Sequence, residues 1–191
     1  MNASFDNLTF VGTALGEAAL LSALPRAYCD LLRAQNGFIA CNGGLHIRGL
    51  CDAPAWHSLQ QVWTGDWALA KLYPSVDERD IPFGQDCVGD QFLLRDEVVY
   101  RLWAETGEFE SLDCEFSAFL AQAAADPVAY LSLQPLLQYQ AEGGSLQPGQ
   151  LLSVYPPFCT QEAAAGVSLR GISVGERISW LADFAAQIKN G

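Results

Sequence analysis

Cys41, His46, Cys51 and His57, separated by four, four and five residues, are a set whose side chains could hold a metal. Zinc needs four such ligands converging as a tetrahedron, and structural sites usually supply them from close pairs such as CxxC. No such pair exists here. His46 falls in a short apolar run read as a strand, and His57 follows Trp56 in a helical pattern, so the set reads as core thiols and ordinary histidines. Nucleophilic catalysis needs a Ser or Cys beside a base that an acid orients. The chain has two His, and Gly43-Gly44-Leu45-His46 lacks the Ser of a GxSxG elbow. Cys87 follows Asp86, and a neighbouring carboxylate raises a thiol pKa and blunts it. No GxxxxGK[ST] or GxGxxG phosphate cradle occurs. Asp86 and Asp90 lie four apart, but an EF-hand loop demands more oxygen ligands and a closing Glu; a turn between strands is expected. The reading is a chain with no catalytic set, no cofactor and no metal.

The informative constellation is the distribution of charge. Asp77, Glu78, Asp80, Asp86, Asp90, Asp96, Glu97, Glu105, Glu108, Glu110, Asp113 and Glu115 face only Arg79, Arg95 and Arg101 within residues 77–115, a net of −9. The remaining 152 residues hold ten acids and seven bases, a net of −3. If that stretch is a β-meander, its turns and one sheet edge form a negative face that speeds association with a basic partner. The alternative is a solvated surface that only aids solubility. The Trp residues at 56, 63, 67, 103 and 180 likewise fit core or contact.

The total charge of −12 and a pI near 4.3 exclude a domain that grips nucleic-acid phosphates, and an anionic membrane would repel it. Half of the residues are hydrophobic and 11% aromatic, which argues against disorder and for a sizeable core. The length suits one domain. Six widely spaced cysteines read as reduced thiols of an intracellular protein rather than as a disulfide framework. MNASFDNLTF shows no signal-peptide pattern, and no run approaches the ~20 apolar residues of a membrane helix. A cytoplasmic protein is expected.

These residues must be positioned by elements. Residues 1–13 suit an irregular lead or short strand, and Leu15–Ala23 favours helix. Pro25 opens a helix to about Gln35, with Tyr28, Leu31 and Leu32 on one face and Asn36-Gly37 at its end. Gly43-Gly44 precedes a strand over 45–48. Trp56, Leu59, Val62, Trp63 and Trp67 recur at helical spacing, with Gly65 dividing two short helices. Ile81-Pro82-Phe83, Gln91–Arg95 and Val98–Trp103 read as a meander. A helix is expected from Asp113 as N-cap, with Phe116, Phe119 and Leu120 inward. Another starts at Asp126-Pro127 and is divided by Pro135. Strands are expected over 151–155 and 167–172. Ser173 and Glu176 form a capping box for a last helix that buries Ile178, Leu181, Ala182 and Ala185. This order argues α+β, with a mostly antiparallel sheet flanked by helices.

Leu24-Pro25-Arg26-Ala27-Tyr28, then Leu31-Leu32 and Asn36-Gly37, resembles the LPxxYxxFLxxxNG start of the SUKH superfamily. Ile81-Pro82-Phe83-Gly84 and Gly89-Asp90-Gln91-Phe92-Leu93-Leu94 are similar to its central Gly-rich turn and strand. Val99-Tyr100-Arg101-Leu102 looks like the next strand, and Phe116–Leu120 like the helix that follows the sheet. The resemblance spans about residues 20–125 in order, and 126–191 extends beyond the common core as a segment expected to pack on it within one SUKH-like domain. That superfamily includes fungal glucan-synthesis regulators, the bacterial Syd protein and many immunity proteins.

The resemblance implies an α+β fold and a non-enzymatic role. The expected function is an immunity protein that occludes a cognate toxin, basic and of the nuclease kind, through an acidic face. The expected contact residues are Asp77, Glu78, Asp80, Asp86, Asp90, Asp96 and Glu97, with Glu105 and Glu108 next. The alternatives are a regulatory or scaffold module with an endogenous partner, and a small-molecule binder, which a deep pocket with convergent polar groups would favour.

Overall fold

The computed structural model describes residues 4–16 and 19–190. Seven strands form one antiparallel sheet in sequence order: β1 (Phe10–Val11), β2 (Phe38–Ala40), β3 (Leu45–Ile47), β4 (Ile81–Asp86), β5 (Gln91–Arg95), β6 (Val98–Trp103) and β7 (Glu108–Glu115). Around it lie α1 (Arg26–Ala34), α2 (Leu59–Trp63), α3 (Leu69–Leu72), α4 (Phe116–Ala125), α5 (Pro127–Tyr130) and α6 (Gln134–Ala141). A second antiparallel pair, β8 (Gln150–Tyr155) and β9 (Ser168–Ser173), leads directly into α7 (Val174–Asn190). The fold is α+β.

The central strands are apolar on both sides because both sides are covered. Along β5, Phe92 and Leu94 join Phe83, Val99 and the inward faces of α1 (Tyr28, Leu32) and α4 (Phe116, Phe119, Leu120, Ala123) in the main core. Leu93, between them, points the other way and meets Leu102, Leu69, Tyr73 and the α7 residues Leu181, Ala182 and Ala185. Each fully buried Phe or Leu contributes roughly 1.5–3 kcal/mol. The segment after 126 is part of this packing: Leu131, Leu133, Leu136, Leu146 and Leu152 belong to the main core. The hairpin is tied in by the Leu152 N–H, which donates to the Cys87 carbonyl at 2.8 Å.

Local signals act where the chain can satisfy them nearby. Asp126 caps α5, accepting from the Ala129 N–H at 3.2 Å, with Pro127 opening the helix. Pro135 opens α6 and separates it from α5. Ser173 accepts the Glu176 N–H at 3.3 Å, the forward half of the expected capping box. The Leu15–Ala23 expectation is reduced to a 3-10 turn over Ala19–Ala23, with residues 17 and 18 outside the described residues, as are 1–3 of the lead.

The helix expected from Asp113 is corrected. Residues 108–115 are the outer strand, and the helix starts at Phe116. Asp113 sits at φ 50°, where the β6–β7 register shifts, and its N–H donates to Ser111 Oγ at 3.1 Å. Its side chain is engaged there, as the acceptor of the Ser111 hydroxyl at 2.7 Å, and caps nothing.

Candidate functional site

Two buried polar clusters lie in the sheet. The first gathers around β3. His57 Nε2 faces the Asn36 carbonyl at 2.9 Å, so it carries the proton and leaves Nδ1 as an acceptor. His46 Nε2, 2.9 Å from that Nδ1, is therefore the donor, and His46 Nδ1 accepts from Gln85 Nε2 at 3.3 Å. Gln85 Oε1 and Gln91 Oε1 each accept from Arg48 Nη2 at 2.6 Å, while Arg48 Nη1 donates to the carbonyls of Pro82 and Gly84. One hydrogen-bond direction runs through the whole cluster, and it requires both imidazoles neutral. Burial and the Arg48 charge hold His46 well below the usual imidazole range, and burial holds His57 below it too. The histidine nitrogens that zinc would need are spent on each other, on Gln85 and on the Asn36 carbonyl. Among the described residues no group of three or more His, Cys, Asp or Glu side chains could hold a metal.

The second cluster joins β4, β5, β6 and α7. Asp86 ends β4, and its Oδ1 accepts the N–H groups of Val88, Gly89 and Asp90, each at 3.0 Å. The Asp86–Asp90 pair is thus the frame of a tight turn. Gly89 turns it at φ 104°, where a Cβ would lie 2.7 Å from Leu181 Cδ1. Arg101 Nη2 donates to Asp86 Oδ2 and to Asp90 Oδ2, both at 2.8 Å, and its guanidinium lies 3.8 Å over the Trp103 ring. Burial, and then Asp90, push the Asp86 carboxyl up to about 7 against the pull of Arg101. Cys87 beside it is buried, and burial followed by Asp86 pushes its thiol well above the ordinary range, which makes it a poor nucleophile.

The nine expected contact residues therefore divide. Asp80 is buried, paired with Arg95 through two hydrogen bonds of 2.8 and 2.6 Å. Asp86 and Asp90 are buried on Arg101. Glu105 is 12% exposed; its Oε2 accepts the Cys159 N–H at 3.0 Å, and Oε1 lies 3.7 Å from Arg177 with no hydrogen bond. These four carboxylates are spent internally and do not form an outward face. Asp77, Glu78, Asp96, Glu97 and Glu108 are exposed, as are Glu110, Asp113 and Glu115 on β7. Eight exposed acids thus meet one exposed arginine, Arg79, which is itself paired with Asp77.

Six of these exposed acids follow the sheet, while Asp77 and Glu78 precede β4. Glu108 and Glu110 lie opposite Trp103 and Arg101, and Glu115 lies opposite Val98 beside the Asp96-Glu97 turn. The strip therefore runs along β7, the last strand in the sheet order, to the β5–β6 turn. Glu110 and Glu115 were legible as acids but not as contacts. Their alternation with Phe109 and Cys114 was the signal that they belong to a strand.

At the Trp103 end of β6 a cavity of about 470 Å³ opens. Arg101 and Arg177 reach its wall, Glu105 and Glu108 flank them, and Trp103 and Phe158 supply aromatic surface. It draws on the β6–β7 connection, the start of α6, the loop after β8, and α7.

No protein-family model matches the sequence, and no curated protein matches it. Among solved structures the chain is similar to Atu4351 from Agrobacterium tumefaciens, with a TM-score of 0.53 and 11% sequence identity over 92% of this chain and 85% of that one. At that identity the likeness concerns the fold alone. The class defined here is an α+β protein built on a seven-stranded antiparallel sheet. Among the described residues no helix is long and apolar enough to cross a membrane.

Proposed function

We propose that this chain is a non-enzymatic, cytoplasmic binding protein that docks a basic protein partner on the acidic strip of β7 and the β5–β6 turn. The partner is a toxin whose phosphate-binding cleft the strip covers, as in the immunity proteins of the SUKH superfamily that the sequence resembles. The observation that carries this reading is the six exposed carboxylates of the strip, Asp96, Glu97, Glu108, Glu110, Asp113 and Glu115, with the exposed Lys189 only at its Gly107 end. A basic nuclease cleft is built to meet repeated negative charge, so such a strip complements it and steers encounter.

The test is kinetic. Asp96→Lys, Glu97→Lys and Glu110→Lys together, measured by stopped flow against a basic protein recovered with this chain by pull-down from its host, are expected to slow association by about tenfold or more at low salt. The salt dependence should flatten in parallel. An unchanged association rate removes the strip as the docking surface.

A further inference from the structure

We infer that residues 5–12, with β1 among them, form a strap that closes over the His46–His57 pair and is released by acid. Release uncovers the edge of β2 and gives His57 to water. The inference stands apart from the binding role proposed above.

The enclosure is built around one edge of an imidazole. His57 ends the 3-10 turn Ala55–His57 and is 1% exposed. Three glycines from three segments crowd its ring: a Cβ at Gly12 or Gly49 would lie 2.8 or 2.6 Å from Nε2, and one at Gly37 would lie 2.6 Å from Cε1. Gly12 belongs to the strap. So does Phe10, whose ring stands edge-on to those of His57 and Trp56 at 4.8 and 4.9 Å between centroids.

The strap is held lightly. The Thr9 N–H donates to the Ile39 carbonyl at 2.9 Å and the Gly12 N–H to the Gly37 carbonyl at 3.0 Å; the Asp6 and Asn7 carbonyls accept from Cys41 and Asn42, each at 3.1 Å. No residue of the strap is buried: Phe5 and Phe10 are half-buried, and Leu8 and Val11 are exposed. In β5, by contrast, Phe92, Leu93 and Leu94 are all buried. A segment with so little burial opens at less than the cost of global unfolding.

The closed pair has no room for another proton. His57 Nδ1 already faces the His46 N–H, and His46 Nδ1 faces the Gln85 amide, so a proton on either sets donor against donor. Turning Gln85 to suit it would take Oε1 from Arg48. The charged and titratable groups that face the pair are the two imidazoles themselves and Arg48 of β3, with Tyr28 of α1 behind, donating its hydroxyl to the Arg48 carbonyl. The strap presents an aromatic ring and backbone, and among the described residues neither imidazole pairs with a carboxylate. Once the strap lifts, the His57 ring can turn to water, where it titrates near its ordinary 6.5. The closed form then binds fewer protons than the open one, so acid favours opening.

The test is amide hydrogen exchange on the ¹⁵N-labelled full chain at pH 7 and pH 5, corrected for intrinsic exchange rates. At pH 7 the Thr9 and Gly12 amides are expected to be at least about 100-fold less protected than Phe92–Leu94. From pH 7 to pH 5 their protection should fall about 25-fold, the effect of one proton taken up at the ordinary imidazole value. His57→Gln should abolish that fall. Phe10→Ala, at a half-buried site with little risk to folding, should raise opening about tenfold at both pH values and make the His57 ring titrate at higher pH than in the parent. Strap amides as protected as those of β5, a fall under about threefold, or a fall that survives His57→Gln overturns the inference. If His57→Gln does not fold, an unmoved His57 titration in Phe10→Ala overturns it instead.

Discussion

The cluster around Arg48 and the cluster around Arg101 are both buried, both polar and both set in the same sheet, yet they are finished to different degrees. Around Arg48 the groups are neutral apart from the guanidinium itself, and donors meet acceptors in one continuous direction; Arg48 Nε alone goes unpaired. Around Arg101 and Arg177 carboxylates outnumber guanidiniums, an oxygen of Glu105 lacks a donor, and the whole borders a cavity. A closed network of matched groups specifies a fold. The other carries surplus negative charge and borders a cavity. Burial alone therefore does not tell the two clusters apart; the balance of charge does.

The largest effect should come from breaking the closed network. Arg48→Met leaves Gln85 Oε1, Gln91 Oε1 and the Pro82 and Gly84 carbonyls without their donor in a fully buried site. A loss of about 3–5 kcal/mol in urea unfolding is expected. A cost under about 1 kcal/mol would show that the network is dispensable and would end the contrast.

The two clusters should also respond to pH with opposite sign. His46 and His57 are held neutral, below the unfolded value of 6.5, so their contribution is complete above pH 6.5 and is lost as pH falls below it. Asp86 is pushed up to about 7 from 3.8, so the folded protein binds its proton more tightly. That contribution is present at low pH and is lost as pH rises from about 4 to about 7. Asp86→Asn removes the second dependence and keeps an oxygen for the three turn N–H groups. Its amide then meets the Arg101 N–H donor to donor, so the variant should be less stable than the parent at low pH, and that deficit should shrink as pH rises from about 4 to about 7. Urea midpoints at several pH values check this; a difference that does not change with pH sinks the reading of crowded carboxylates.

Much of the fold was legible because its signals are local. Asp126-Pro127, Pro135, the apolar face Phe116–Phe119–Leu120 and the short apolar-rich runs of β5 and β6 each act within a few residues of themselves. The outer strand was harder. Asp113 carries a good N-cap side chain, and only the sheet register reveals that it sits in a bulge. For the site, the concentration of acid in 77–115 was readable, but the sorting of those acids was not. Asp86 lies 15 residues from the arginine that neutralises it, Asp80 likewise from Arg95, and Glu105 far from Arg177. Such pairings exist only once strands lie side by side. The cavity was invisible for the same reason, since Trp103, Pro135, Phe158 and Arg177 come from four separate stretches.

The smallest effect concerns the surface turn that ends the acidic strip. Arg95 pairs with Val98, so Asp96 and Glu97 form a two-residue hairpin, and both adopt positive φ, 49° and 68°. That is the geometry for which Asn-Gly or Asp-Gly is preferred, because a glycine takes it without strain. Here the second position carries a glutamate. Glu97→Gly should raise stability by about 0.5–1 kcal/mol, the relief of strain exceeding the extra freedom of glycine in the unfolded chain. The same change deletes an exposed carboxylate from the strip, and association with the basic partner should slow by about twofold. A stabilised protein that binds more slowly places this strained turn with the acidic strip, where charge is kept for a partner at the expense of the fold. If stability falls instead, the turn is doing structural work and belongs with the closed network around Arg48.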